Sequence, residues 1–290
     1  MDKTIRDIRN QAYLTESEVL KLNFINDSSH YIFRKYYRSG LRSHIFEILA
    51  VEDVLKETKG EIIDGIRMFP RAKPKKIFRI LRNRFKNKEA VFEEIKKYHL
   101  LLQFLGPDCI AQSEEVIVDY TAAGKNHIVL CGLQEYIEGE ILDPWRQGLS
   151  CDRFLLDMFK STTGSGSQLE EKVKNARINI DTFVQRTRQM IAGTGYIPDL
   201  AGLGNLILNH EGNLKLVDIN NIVKIKFNDI VAIDDKGYPS CDVSVEVLSI
   251  LERDILKKHI QTDDPLYQLF LSPERKIKVK ALEKKFYKSL

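Results

Sequence analysis

Residues 195–222 (GYIPDLAGLGNLILNHEGNLKLVDINNI) constrain the fold more than any other stretch of this 290-residue chain. An acidic residue, a glycine-rich loop, an Asn opening an apolar run, a turn at Glu211-Gly212, a second apolar run and a closing Asp predict a loop followed by a β-hairpin. Pairing Leu206 to Leu208 with Leu214 to Val217 brings Asn205 and Asp218, thirteen residues apart, to one end. One amide and one carboxylate converging there offer oxygen ligands, which suit a hard cation such as magnesium. An ordinary hairpin with polar ends is the plainer alternative.

This stretch resembles the catalytic-loop and metal-loop region of the protein-kinase-like superfamily. The resemblance implies that Asn205 and Asp218 hold Mg2+ against the phosphates of ATP and that Asp199 handles the acceptor hydroxyl. Asp199 stands six residues before Asn205, one more than kinases have. The two glycines of the intervening Leu-Ala-Gly-Leu-Gly can absorb the extra residue, since glycine tolerates backbone angles closed to other residues. The loop lacks the Lys or Arg usual there, and the metal-loop triplet reads Asp218-Ile219-Asn220, with Ile and Asn in place of Phe and Gly.

With 43% hydrophobic residues the chain can bury a full core, as one two-lobed domain or two small ones. Cys109, Cys131, Cys151 and Cys241 are widely spaced and no leader-like segment precedes them, so a reducing cytoplasm is expected. No apolar run approaches the ~20 residues needed to cross a bilayer. The six histidines show no ligand spacing for zinc. Arg71 to Lys88 carries nine Lys or Arg and no acid. Such a run can serve nucleic acid or anionic lipid, but without an aromatic stacking pattern it is read as a solvated surface.

Residues 1–58 are read as an amino-terminal extension, with strands at Val19 to Phe24 and Tyr31 to Tyr37 around a turn at Asn26 to Ser29, and a helix over Ser43 to Glu57. Residues 59–138 are read as a small nucleotide-binding lobe. In it, Glu61 to Met68 and Lys76 to Leu81 are strands flanking a proline-rich turn. A helix follows over Lys88 to Phe104, apolar at Val91, Ile95, Tyr98, Leu102 and Leu105. Ile110 to Val118 and Asn126 to Leu133 form a strand pair around a bend at Ala122 to Asn126.

The resemblance implies roles here too. Gly60 and Gly65 stand where a glycine loop cradles phosphate. Arg79 aligns with the phosphate-binding lysine, keeping its charge but offering a planar fork instead of an ammonium. Glu94, fifteen residues on, aligns with the lysine's helix glutamate, and Glu93 is the alternative partner. Gln134, Glu135 and Tyr136, leading to Gly139, resemble the adenine-binding hinge.

Residues 139–290 are read as a helical large lobe, with helix and loop over Ile141 to Lys160, a connector at Ser161 to Ser167 and a long helix over Gln168 to Ala192. Asp242, at the start of a helix, resembles the buried large-lobe Asp that binds backbone amides of the catalytic loop; a simple helix cap is the plainer alternative. Only 24 residues separate Asp218 from Asp242. That leaves little room for a peptide-docking segment, and no closing Ala-Pro-Glu motif is present. A final basic helix begins at Ser272.

The expected fold is therefore α+β: a two-lobed protein-kinase-like fold with a small antiparallel sheet plus one helix and a mostly helical large lobe. The expected activity is ATP-dependent phosphoryl transfer to a small-molecule, lipid, sugar or protein hydroxyl. The alternative is a pseudokinase that binds a partner without transfer, favoured by Arg79 and the shifted Asp199. A protein partner and an anionic membrane surface stay open as further partners.

Overall fold

Lys76–Leu81 (β5) is the strand around which the first compact unit forms, because its side chains are buried on both faces from Phe78 onward. The computed structural model describes residues 7–289 apart from 23–24, 26–28, 38–39, 123–124, 149, 164–165 and 261–262. The chain divides into two units, residues 1–96 with 112–136, and residues 97–111 with 137–290.

The first unit holds a five-stranded antiparallel sheet in the order β1-β2-β5-β7-β6, made of Tyr31–Lys35 (β1), Ser43–Ala50 (β2), β5, Lys125–Glu135 (β7) and Ser113–Ala122 (β6). Val51–Lys59 (α2) and a separate hairpin, Glu61–Ile63 (β3) and Ile66–Met68 (β4), are inserted between β2 and β5. One sheet face packs against residues 8–22, through Ile8, Leu14, Val19 and Leu22, a stretch that includes the short helix Glu16–Val19 (α1). The other face packs Leu81, Leu130 and Ile117 against Val91 and Ile95 at the start of Lys88–Leu105 (α3).

Several sequence expectations are corrected here. Ser43 to Ala50 is a strand, not the start of a helix. It pairs on both sides and is buried on both faces, which erases the period-2 signal that an edge strand shows. Only Val51–Lys59 of that stretch is helical. Val19 ends a helix instead of beginning a strand, and residues 23–24, 26–28 and 123–124, within the expected strand, turn and bend, lie outside the described residues. Glu61 to Met68 is two strands, broken by Asp64 and Gly65, both at positive φ (50° and 78°), as a tight hairpin turn requires. Ile62, Ile63, Ile66, Met68 and Phe69 of this hairpin region are exposed.

The basic run is not one solvated surface either. Lys75 pairs with Asp53 at 2.9 Å, and Arg79 is buried. Arg82 donates to the Ala12 carbonyl at 2.7 Å and Arg84 to Asn10, tying the amino-terminal segment to the sheet.

The second unit is mostly helical. Gly139–Ile141 (β8) leads to Pro144–Gln147 (α4), Cys151–Thr163 (α5) and the long Ser167–Thr194 (α6). Residues 164–165 of the expected connector lie outside the described residues. Tyr196–Pro198 (β9) pairs with Ile222–Lys224 (β12), and Leu206–Asn209 (β10) pairs with both Leu214–Leu216 (β11) and β8. Ser240–Ile250 (α7) is buried along almost its whole circumference and continues as a π-turn at Leu251–Ile255. Its mostly small and apolar side chains suit such a central helix. Pro265–Phe270 (α8) and Pro273–Tyr287 (α9) complete the unit, whose core joins Phe159, Phe183, Leu206, Leu216, Val245 and Leu248. The α+β organisation expected of the kinase-like fold class, a small antiparallel sheet with a helix and a mostly helical second unit, is what the chain forms. Among the described residues no helix is long and apolar enough to cross a membrane.

Candidate functional site

The β10–β11 hairpin forms as its sequence predicts, with Leu206 opposite Leu216 and Leu208 opposite Leu214. Its turn is closed by Asn209, whose side-chain oxygen accepts from the N–H groups of Glu211 (3.1 Å) and Asn213 (2.8 Å), while Gly212 takes a φ of 88°. Asn179 of α6 donates to the Gly212 carbonyl at 2.9 Å and fixes the hairpin to the helical core. At the open end the Val217 N–H donates to the Asn205 carbonyl at 2.8 Å, which sets Asp218 one residue beyond Asn205 in the ladder.

Asp199 follows β9 and is buried at 6% exposure. Its N–H donates to the Asn221 carbonyl at 2.9 Å, so the β9–β12 ladder extends by one rung. One carboxylate oxygen accepts from the Ala201 N–H at 2.9 Å, and the other accepts from the Asn221 amide at 2.6 Å. The Asn205 amide donates to the Asp199 carbonyl at 3.0 Å. Asp199 and Asn205 are thus brought together, and the extra loop residue is absorbed between them. Gly202 is the reason the loop closes so tightly: a Cβ there would lie 2.5 Å from Asn205 Oδ1.

The amide nitrogen of Asn205 is committed to Asp199, which leaves its Oδ1 as an acceptor; the half-buried Asp218, one rung further along the ladder, accepts from the Asn220 N–H at 3.3 Å. Both are hard oxygen donors, the kind magnesium takes. No cluster of three or more His, Cys, Asp or Glu that could hold a metal ion exists among the described residues. Magnesium commonly takes one or two protein ligands and fills its octahedron with water and phosphate oxygens. The residues fit the group.

Asp242 is buried at the start of a helix as expected, with a different partner. It begins α7 but pairs with Arg275 of α9, through Nε to one carboxylate oxygen and through Nη2 to the other at 3.3 Å. Burial pushes the Asp242 carboxyl up, and the guanidinium partly offsets this. Arg275 also donates to the Asn228 carbonyl at 2.6 Å and stacks over Phe270. The loop amide is taken instead by Ser244, one polar position further along α7, whose Oγ accepts from the Leu200 N–H at 3.0 Å.

In the first unit Arg79 does not pair with Glu94. Its Nη2 donates to Glu115 at 2.7 Å and to Ser113 Oγ at 2.9 Å, both on β6. Glu94 sits half-buried on α3, and Glu93 pairs with Lys96 at 2.6 Å. Gly60 caps α2 and Gly65 turns the β3–β4 hairpin, so neither lies in the five-stranded sheet. Within the sheet, the loop from β1 to β2 holds Gly40. Gln134 is buried within β7, opposite Ile77 and Ser113. Glu135 ends that strand with its N–H donated to the Gln112 carbonyl at 2.8 Å, and Tyr136 is the last residue of the first unit.

Sequence reasoning missed Asn221, Ser244, Glu115 and Arg275. For Glu115 a signal existed: on β6 it falls on the parity of Ile117, where an apolar residue is expected. Arg275 and Ser244 reach their partners across long stretches of chain, with nothing local to announce them.

No family model matches the chain, and no curated protein does. Among solved structures it is similar to the "ROP18 kinase domain in complex with AMP-PNP and sucrose", at 12% identity and a TM-score of 0.36, over 89% of this chain and 79% of that one.

Proposed function

We propose that this chain is a kinase-like phosphotransferase that takes magnesium and ATP and passes a phosphoryl group to a hydroxyl-bearing acceptor. The observation that carries the reading is the pair of hydrogen bonds that joins Asp199 to Asn205 and Asn205 to Val217, the residue before Asp218. Asn205 and Asp218 would hold the ion, which when bound neutralises charge on the transferring phosphate. Asp199, kept in place by Asn221 and Ala201, orients the acceptor hydroxyl and draws on its proton. The ladder and loop contacts hold that carboxylate before any acceptor arrives, so little reorganisation is left to the reaction. With 24 residues from Asp218 to Asp242, the acceptor fits a small molecule, lipid or sugar better than a docked peptide.

A second reading, a pseudokinase that binds nucleotide without transfer, is favoured by the burial of Asp199 and by the engagement of Arg79 with Glu115. Magnesium-dependent ATP binding and turnover in the parent, Asp199→Asn and Asp218→Ala separate the two. In an enzyme, Asp199→Asn lowers turnover by roughly 10²-fold or more with nucleotide affinity nearly intact, because its part lies in the transition state. Asp218→Ala weakens metal-dependent binding under both readings. Binding without turnover over a broad acceptor panel rejects the transferase, and absence of nucleotide binding rejects the transferase and leaves only a partner-binding pseudokinase.

A further inference from the structure

The β3–β4 hairpin stands clear of the five-stranded sheet. Every residue from Ile62 to Arg71 is exposed, and neither strand pairs with any other strand among the described residues. Five large apolar side chains, Ile62, Ile63, Ile66, Met68 and Phe69, fall within this stretch, each between 49% and 65% exposed. Single apolar residues at a surface need no explanation, but a contiguous group of this size marks a contact.

The register divides the group between both faces of the ribbon. Ile63 lies opposite Ile66, with Met68 on the same face, while Ile62 and Arg67 lie opposite each other on the reverse, with Phe69. The base of the hairpin is fixed. Gly60, at a φ of 74°, leaves room for Arg67 and Phe69 to lie over the end of α2, since a Cβ there would stand 2.7 Å from Arg67 Cγ and 3.1 Å from Phe69 Cε1. Arg67 then donates to the Lys59 carbonyl at 2.8 Å.

Positive charge gathers at the same base. From Lys59 to Lys76 six Lys or Arg stand against two acids, Glu61 and Asp64. The carboxylates nearby are matched by bases of their own: Asp53 by Lys75 at 2.9 Å, Glu57 by Arg34 at 2.8 Å and Glu61 by Lys56 at 3.3 Å. Lys59 and Arg71, which flank the hairpin, are exposed and have no acidic partner among the described residues.

We propose that this hairpin docks the protein on an anionic lipid bilayer, its apolar side chains entering the interface and the basic residues at its base meeting lipid phosphates. A folded partner or a second copy of the chain covers one face of a two-stranded ribbon and leaves the other in water, whereas a fluid interface closes round both. Binding of this kind draws on buried apolar area together with attraction to anionic headgroups. Asp64, in the turn, keeps the entry shallow, at a depth where water still reaches its carboxylate and the outer edges of the strands. The proposal uses none of Asp199, Asn205 or Asp218, so it stands or falls apart from the phosphotransferase reading.

The test is sedimentation of the full chain with vesicles of phosphatidylcholine alone and of phosphatidylcholine mixed with phosphatidylserine, at low and high salt, with melting temperatures measured in parallel. The variants are Ile63→Ser with Ile66→Ser, and Lys59→Gln with Arg71→Gln, all at exposed positions. Ile277→Ser on α9, where the isoleucine is 73% exposed, is the control. The parent should bind the mixed vesicles and not the neutral ones, and should lose binding as salt screens the charge. The isoleucine pair should weaken partitioning by about tenfold or more and the basic pair by about tenfold, with melting temperatures unchanged, while the control binds as the parent does. No binding by the parent, or equal binding to neutral and mixed vesicles, overturns the proposal. Binding that survives loss of both isoleucines overturns it as well, since adsorption by charge alone does not need the hairpin. If light scattering shows self-association that the isoleucine pair abolishes, without vesicle binding, the surface belongs to a second copy and the proposal falls.

Discussion

Ser244 accepts a hydrogen bond from the Leu200 N–H at 3.0 Å, and this contact joins the buried helix α7 to the loop that holds Asp199. A hydroxyl does there what a carboxylate was expected to do. The carboxylate of Asp242, two residues earlier, is turned to Arg275 on α9. The two positions therefore have separable jobs: one shapes the loop, the other anchors the carboxy-terminal helix and, through the Asn228 carbonyl, the segment after β12.

That division predicts different responses to substitution. Asp242→Ala leaves Arg275 buried and uncompensated, a change that ordinarily costs about 3–5 kcal/mol. Replacing both, as Asp242→Leu with Arg275→Met, should recover much of the loss, because a well-packed apolar pair avoids the desolvation. Ser244→Ala should cost less, about 1–3 kcal/mol, for one unsatisfied buried amide. Urea unfolding of the three variants checks the order. If Ser244→Ala proved the most destabilising, the assignment of these contacts would be wrong.

The amino-terminal segment carries a pH dependence of its own. His44 is buried on β2 beneath residues 8–22, with Nε2 2.9 Å from the Ile8 carbonyl, so that nitrogen carries the proton. Burial pushes its imidazole below the ordinary value, and the nearby Arg82 and Lys35 add to the effect, against the Ile8 carbonyl and Glu18. A histidine whose folded pKa is depressed binds fewer protons folded than unfolded, so stability falls as pH drops below the unfolded value of about 6.5. Its contribution is fully present above that value. Thermal melting of the parent should drop between pH 7.5 and 5.5, and His44→Gln, whose amide can still donate to Ile8, should show a smaller drop. An equal drop in both assigns the acid sensitivity to other groups.

The parts of the fold that were legible in the sequence are those whose signal is local. The β10–β11 hairpin, α3, α6 and β5 each carry their pattern within a few residues, and each appears close to its expected limits. β2 carries no such local signal, because a strand paired on both sides and buried on both faces has no alternation to read. The site divides in the same way. Asn205 and Asp218 are fixed by a hairpin register that residue spacing reveals. The partners of Arg79 and Asp242 lie 36 and 33 residues away in the chain, where only the sheet order and helix packing decide which carboxylate or guanidinium arrives first.

Gly139, to which the hinge-like residues lead, is one end of β8, paired antiparallel with Asn209. A Cβ at 139 would lie 2.2 Å from the Leu208 carbonyl oxygen and 2.8 Å from the Asn209 Cα. Those atoms are backbone in a strand whose other edge is bound to β11, so neither can step aside without opening the three-stranded sheet. Gly139→Ala should therefore cost at least the ~1–3 kcal/mol usual for overpacking. Because Leu208 and Asn209 lead directly into the turn that closes the hairpin, the damage should spread to its open end and, on the proposed function, weaken metal-dependent nucleotide binding as well. Hydrogen exchange read at Leu206 to Asn209 tests this: faster exchange there in the variant is the expected outcome. Protection equal to the parent would mean that β8 and β10 do not approach as closely as described.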